Sequence, residues 1–326
     1  MSISFSKSQL LTRRVVAAIV RRLPVNIRRL NWWSECLYRS LGGGGFAENS
    51  TVDGAWPRGI QSPVRGRHGF KMELDLTDWS DRRAWFFGQY YQRDLIVLLE
   101  NCLMPGDEYV DIGANLGMTC LAAAQFIGVQ GKGLAYEPNP EAFSRLVRHM
   151  QINRIRNFHV ENAGVSERNG SMTLFVGKHL GKASLISTEN CLESSEGIEV
   201  KVVTGEHVLS RLSPASRVFV KIDVEGYEMH VLKSLDELWE RNEIAVVVEV
   251  THERLLEVGS SAKELYEFMQ TAGFEPFLFR VVCGRFSTHL ELISANPASP
   301  SLSQHDAIFV KRGSSYINRF KPMIKG

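Results

Sequence analysis

The chain has few cysteines, almost no net charge and no long apolar run, and each shortage removes a class of protein. Its 5 cysteines (Cys36, Cys102, Cys120, Cys191 and Cys283) are odd in number and far apart, with no C-x-x-C pair. That argues against a disulfide framework or a cysteine-held zinc site, and fits reduced thiols and a cytoplasmic location. Lys and Arg total 38 against 36 Asp and Glu, a net charge of +2. Such a balance lacks the basic face that a phosphate backbone demands, so no nucleic-acid partner is expected. The apolar run Val15–Val20 is six residues long, short of both a membrane span and a secretory signal. There is no internal repeat, and low complexity is confined to Gly42–Gly45.

Charge is uneven in one place. Lys7, Arg13, Arg14, Arg21, Arg22, Arg28 and Arg29 precede the first acid, Glu35. On a helix, Leu10, Leu11, Val15, Ala18, Ile19 and Arg22 fall broadly on one side. Two readings follow: a solvated leader helix packed on the main domain, which is preferred, or peripheral membrane contact through a basic surface helix.

What is present is more telling. Tyr109–Gly117 reads Y-V-D-I-G-A-N-L-G, and Glu137 follows Gly117 by twenty positions at the end of a second apolar run, G-L-A-Y-E-P-N-P. A β-branched run ending in an acid and a glycine turn is how an α/β sheet delivers its first strand to a nucleotide-like ligand. An acid about twenty residues further on ends the second strand, where it accepts hydrogen bonds from ribose hydroxyls. The spacing separates cofactors. A dinucleotide fingerprint is G-x-G-x-x-G; here Asn115 occupies the middle position between Gly113 and Gly117. D-x-G-x-x-x-G suits S-adenosyl-L-methionine, which has a ribose and no phosphate. The expected cofactor residues are Asp111 at the methionine ammonium, directly or through water, the loop Gly113, Asn115 and Gly117, Glu137 at the ribose, and Asn162 or Ala163 beside the adenine. A dinucleotide-binding oxidoreductase and a non-catalytic Rossmann-like binding module are the alternatives.

Around these motifs strands and helices alternate, the mark of a parallel sheet with right-handed crossovers. Strands are expected near 108–112, 133–137, 157–162, 217–223 and 243–250, and helices near 116–127, 140–153, 226–240 and 261–272. An antiparallel excursion over 171–176 and 198–203 interrupts them, and 274–279 with 306–311 close the sheet. Ahead of the first motif, a short strand is expected at 72–76 and a helix at 85–103. Residues 1–69 form a helical N-terminal extension with a Gly/Pro-rich linker, 70–312 the main domain and 313–326 a tail. The loop 177–197, with Lys178, His179, Lys182 and Ser184, is expected to cover a substrate.

Four segments together resemble FkbM-type methyltransferases: P-G-D-E-Y-V-D-I-G-A-N-L-G (105–117), Y-E-P-N-P (136–140), V-K-I-D-V-E-G-Y-E (220–228) with V-L-K-S-L (231–235), and D-A-I-F-V (306–310). The resemblance covers about residues 70–312, and K-I-D-V-E-G-Y-E is its most specific part. It implies an α/β, Rossmann-like, seven-stranded class I methyltransferase sheet in the order 3-2-1-4-5-7-6, with strand 7 antiparallel. It also implies S-adenosylmethionine-dependent O-methylation of a hydroxyl on a sugar, glycolipid or polyketide-like molecule. Two positions depart from the family: Tyr91-Gln92 replaces a Tyr-Glu pair, and Thr204-Gly205-Glu206 replaces Thr-Leu-Asp.

A protonated hydroxyl is a poor nucleophile, so attack on a methyl group needs a base. Asp223 and Glu225, two apart where the chain turns at Gly226, are the first candidates, and His252 the next. Lys221 shares a face with Asp223, where it either holds that carboxylate ionised or extends along the surface with its ammonium in solvent. No single motif assembles hard oxygen ligands, so no metal site is expected. No N-P-P-Y-type tetrapeptide, which would suit amino-group acceptors, follows the fourth strand.

Overall fold

The computed structural model describes residues 7–22, 28–41, 56, 59–61, 63–66, 69–176, 183–185, 197–283, 288–295 and 304–325. Most of the loop expected to cover a substrate, with Lys178, His179 and Lys182, lies outside them. The chain divides into two compact units, Met1–Ile96 with Val281–His289 and Val97–Arg280 with Leu290–Gly326. Sequence reading put the boundary at residue 69; the structural division falls within a helix at 96.

The first unit contains α1 (Lys7–Val20), α2 (Arg28–Ser40), β1 (Val64–Arg65), β2 (Lys71–Met72), α3 (Trp79–Phe87) and the start of α4 (Arg93–Cys102). The helix expected over 85–103 is thus two. Asp78 caps α3 by accepting from the amides of Ser80 and Asp81, and Gly88, at φ 69°, ends it in the left-handed conformation, a position that favours glycine. The strand expected at 72–76 shrinks to Lys71–Met72 with a lone bridge from Asp75 to Ile60.

In the second unit the core strands are β3 (Glu108–Ile112), β4 (Lys132–Tyr136), β5 (Phe158–Glu161), β10 (Val218–Ile222) and β11 (Ile244–Thr251), all mutually parallel. β3 and β10 are buried along their whole length, as strands covered on both faces must be, which is why they read as continuous apolar runs. Crossovers are α5 (Met118–Ile127) and α6 (Pro140–Asn153), the latter capped by Asn139 and opened by Pro140. Between β5 and β10 the chain builds a separate four-stranded sheet from β6 (Gly164–Val165), β7 (Gly170–Val176), β8 (Ala183–Ser184) and β9 (Gly197–Val203), with β7 antiparallel to β9, as the excursion implied.

After a short helix α7 (Gly205–Leu209), the helix expected over 226–240 appears as α8 (Glu228–Ser234) and a 3₁₀ turn at Asp236–Glu240. α9 (His252–Glu257) and α10 (Ala262–Thr271) lead to β12 (Phe274–Cys283), β13 (Thr288–Ser294) and β14 (Gln304–Lys311), and α11 (Ser315–Phe320) precedes β15 (Ile324–Lys325). The main sheet runs β15-β13-β12-β14-β11-β10-β3-β4-β5. Seven of these strands reproduce the order 3-2-1-4-5-7-6, and β14 is antiparallel to both neighbours. The sheet is therefore the Rossmann-like class I arrangement, widened to nine strands by β13 and β15. β15 lies in the segment expected to be a tail, where it pairs with β13.

Candidate active site

Because β3, β4, β5, β10 and β11 are parallel, their carboxyl ends share one sheet edge, the edge where open α/β sheets take ligands. Register sets the first pair. Asp111 on β3 stands opposite Lys221 on β10, and Lys221, 4% exposed, lies 3.3 Å from Asp111 Oδ1, from Asp223 Oδ2 and from the Gly113 carbonyl oxygen. Burial disfavours the charge on Lys221, but Asp111 and Asp223 outweigh it and raise the lysine above its ordinary value. The other Asp111 oxygen accepts from the Tyr109 and Thr119 hydroxyls and the Cys120 thiol. Asp111, expected at a ligand's ammonium directly or through water, has no exposed surface in the free protein, and both its oxygens have partners within the chain. Its reach into the site runs through Lys221.

The loop after β3 is held from both sides. Gly113 has φ +79°, and a Cβ there would stand 1.8 Å from the Asp223 carbonyl oxygen; at Gly117, φ +77°, it would meet Leu146 Cδ1 at 2.2 Å. The glycines were expected to admit a ligand. In the structure the space beside them is taken by the β10 turn and by α6, so they serve close approach of chain to chain. Asn115 adopts φ 49°, and its amide donates to Glu137 Oε2 at 2.7 Å. Glu137 Oε1 accepts the Asn139 amide at 2.8 Å. Glu137 is 6% exposed, and burial raises its carboxyl to about 7, against the pull of those two amides. Asn115 Oδ1 and Asn139 Nδ2 are buried without a hydrogen-bond partner. Asn162, expected at an adenine, uses its amide nitrogen to hold the carbonyls of Glu137 (2.8 Å) and Pro138 (3.0 Å).

At the end of β10 the chain turns through Glu225 (φ 56°) and Gly226 (φ 110°). Glu228 fixes that turn: its Oε1 accepts the amides of Val224 (3.2 Å) and Gly226 (3.0 Å). The Glu228 carboxyl is pushed up to about 7, chiefly by burial. Carboxylate oxygens of Asp223, Glu225 and Glu249 lie within 4.8 Å of one another. Each has a further partner: Lys221 for Asp223, Arg254 at 3.1 Å for Glu225, and Gln304 at 2.9 Å for Glu249. Burial, then the charges of Asp223 and Glu225, raise Glu249 well above the usual carboxylate range. No oxygen-ligand cluster was expected from any one motif; two strand ends assemble this one. His252 is not in it. That side chain is exposed, and its Nδ1 accepts the Ala262 amide at 3.4 Å.

Glu228 carried no expected role, and the close approach of Glu249, a strand-end acid, to Asp223 and Glu225 was not expected. Glu228 was visible as an acid two residues past a turn glycine, a capping position, whereas Glu249 needed the β10–β11 register.

A family model described as the methyltransferase FkbM domain matches residues 111–276 of this chain, half of its length. The chain belongs to the FkbM methyltransferase family. This family is S-adenosylmethionine-dependent. Among curated relatives, "Methyltransferase 1" of Beauveria bassiana (strain ARSEF 2860) is 28% identical over 162 residues. That match covers 44% of this chain and 65% of the relative, so the chain spans just under two thirds of its length. Similar solved structures include an FkbM methyltransferase from Methylobacillus flagellatus KT, at 12% identity, 71% of this chain, 53% of that chain and TM-score 0.38. Another is Aeropyrum pernix fibrillarin with natively bound S-adenosyl-L-methionine, at 14% identity, 66% of this chain, 72% of that chain and TM-score 0.37. The FkbM motif K-I-D-V-E-G-Y-E is the stretch that supplies Lys221, Asp223, Glu225 and Glu228 to the site.

Proposed function

We propose that the protein is an S-adenosylmethionine-dependent O-methyltransferase acting on a hydroxyl of a sugar, glycolipid or polyketide-like small molecule. The observation that carries this reading is the ionic chain Asp111–Lys221–Asp223, which joins the cofactor loop directly to an acid at the end of the fourth strand.

The residues at β3 and β4 fit the cofactor. Glu137 spends one lone pair of each oxygen on a backbone amide, which leaves each oxygen able to accept from a ribose hydroxyl. The unpartnered Asn115 Oδ1 and Asn139 Nδ2 beside it are an acceptor and a donor that a polar ligand would satisfy. Gly113 and Gly117 shape the loop, and Asn162 supports the Glu137 turn from below. The strand-end acids outnumber their cations, which favours a ligand that carries a sulfonium and an ammonium. When bound, the cofactor supplies a methyl carbon on a sulfur that departs with the bonding electron pair as a neutral thioether.

The chain's own task is then to align an acceptor oxygen and to take its proton. Asp223, paired with Lys221 at 3.3 Å, is placed to accept a hydrogen bond from the acceptor hydroxyl. Asp223 receives the proton as the oxygen–carbon bond forms; Glu249, within 4.8 Å, is held towards its protonated form by burial and by the two neighbouring carboxylates and is the poorer base. Glu225, tied to Arg254, orients the turn. His252 remains a more distant alternative base.

Labelled S-adenosylmethionine incubated with the protein and a panel of hydroxyl-bearing acceptors tests the reading. Methyl should appear on oxygen, and Asp223→Asn should slow turnover by roughly 10²–10⁴ with cofactor affinity little changed. Methyl on nitrogen or carbon, or full activity in Asp223→Asn, would reject it. A second reading rests on the three converging carboxylates: a divalent cation held there would acidify the hydroxyl. Loss of the rate with a chelator and recovery with magnesium would favour that reading; an unchanged rate favours the carboxylate base.

A further inference from the structure

Helix α1 is apolar on two opposite sides. Its inward side is built on Arg13, Ala17 and Val20, all buried, and the helix packs against α3. Arg13 Nε donates to the Leu41 carbonyl at 2.8 Å, with its guanidinium over the Trp56 ring. Arg21 Nη1 donates to the Trp85 carbonyl at 2.9 Å. These two arginines therefore serve the first unit itself.

The opposite side holds Leu11, Val15 and Ile19, spaced one turn apart and 63%, 51% and 54% exposed. At about 100° per residue they cover a narrow stripe. Arg14 and Arg22 are exposed beside it, and Arg22, three turns beyond Leu11, continues its line. The preferred expectation of a solvated leader helix accounts for the inward side only, because a solvated face is polar and this one is aliphatic.

We infer that α1 docks on an anionic phospholipid surface. Leu11, Val15 and Ile19 enter the boundary between headgroups and acyl chains, while Arg14 and Arg22 meet the headgroup phosphates and carboxylates. Charge selects this occupant. The first 34 residues contain seven Lys and Arg and no acid, and Glu35, the first, is engaged by Arg83. A second copy of the chain would set Arg14 and Arg22 against the same residues with no acid to pair them. An anionic bilayer supplies both the apolar layer and the opposite charge. At 14 residues the helix is about 21 Å long, and no described helix is long and apolar enough to cross a membrane. It must lie flat.

The inference is independent of the methyl-transfer reading, and its test keeps the two apart. The full chain is sedimented with vesicles of phosphatidylcholine alone and of phosphatidylcholine mixed with phosphatidylserine. Binding should be strong on the mixed vesicles, weak on the neutral ones, and reduced by salt. Arg14→Gln with Arg22→Gln should weaken it about thirtyfold, the worth of two basic groups at an anionic surface. Leu11→Asp, Val15→Asp and Ile19→Asp together should abolish it and leave S-adenosylhomocysteine affinity unchanged, since all three side chains are exposed. Absence of binding to either vesicle overturns the inference, as does equal binding by the triple variant. So does a concentration-dependent dimer that the triple variant loses, which would give the stripe to a second copy.

Discussion

Glu137 exposes the cofactor half of the site to a pH test. Its carboxyl sits at about 7 in the free protein because burial opposes the charge. If Glu137 takes the ribose as proposed, the hydroxyls donate to its ionised form, and binding must first release the proton held at acid pH. If only the carboxylate binds, about one molecule in eleven is competent at pH 6, and affinity falls roughly tenfold from its plateau, ~1.4 kcal/mol. By about pH 8 the loss is small. Titration calorimetry with S-adenosylhomocysteine across this range, on the protein and on Glu137→Gln, reads the effect as the gap between the two. The variant should bind about 1.5–3 kcal/mol more weakly at the plateau, and the gap should close as pH falls. Comparing the two proteins removes the ligand's own amino group, which titrates in both.

The same carboxyl gives the free protein a slope in stability. Between about 4.5 and 7 the folded state keeps a proton that the unfolded chain has released, so stability falls as pH rises through that window. A displacement of this size is worth about 3 kcal/mol. Glu137→Gln should remove its share of the slope and leave that of Glu228, which sits at about the same value. An affinity gap that stays constant with pH would refute the reasoning, because Glu137 would then not carry the ribose contact.

Lys221→Met should destabilise the fold by about 3–5 kcal/mol in urea unfolding, since it leaves Asp111 a buried charge without its cation. Adding Asp111→Asn should restore at least half of the loss, and a cost below about 1 kcal/mol for the single change would mean that the pair is not buried as described. Gly113→Ala should lower the melting temperature sharply or prevent folding, because the methyl group would collide with the Asp223 carbonyl oxygen at a left-handed position. An unchanged melting temperature would rule out that contact.

The sheet was readable because its evidence is local. Val-rich runs such as Ile244–Val250 announce strands buried on both faces, and Asn139-Pro140 announces a helix start. The acids at strand ends were readable for the same reason. What escaped depended on distances between segments. That Gly113 abuts the Asp223 carbonyl, or that Glu249 comes within 4.8 Å of Asp223 and Glu225, follows from which strands lie side by side and in what register. The Asp111–Lys221 pair was not legible for the same reason: a strand-end acid looks alike whether it faces a ligand or a lysine on the next strand. The start of the Trp79 helix was missed because Asp78 caps it from within a polar stretch, Thr77–Arg83, that reads as a loop.

The contact between Gly113 and the Asp223 carbonyl, bridged again by Lys221, bears on how the protein could be re-engineered. Changes at residues 111–117 and 221–228 will not combine additively, because each segment is part of the other's wall. A library randomised there would mostly sample broken cofactor loops. The sheet formed by β6, β7, β8 and β9 is attached differently: Val165 and Val203 enter the core that also holds Val110 and Ile222, and the Tyr227 hydroxyl lies 3.2 Å from Ser166 Oγ and 3.7 Å from Met172 Sδ. Only the exposed side chains of that sheet, such as Thr173, stand outside this core and can be exchanged without disturbing the coupled loops.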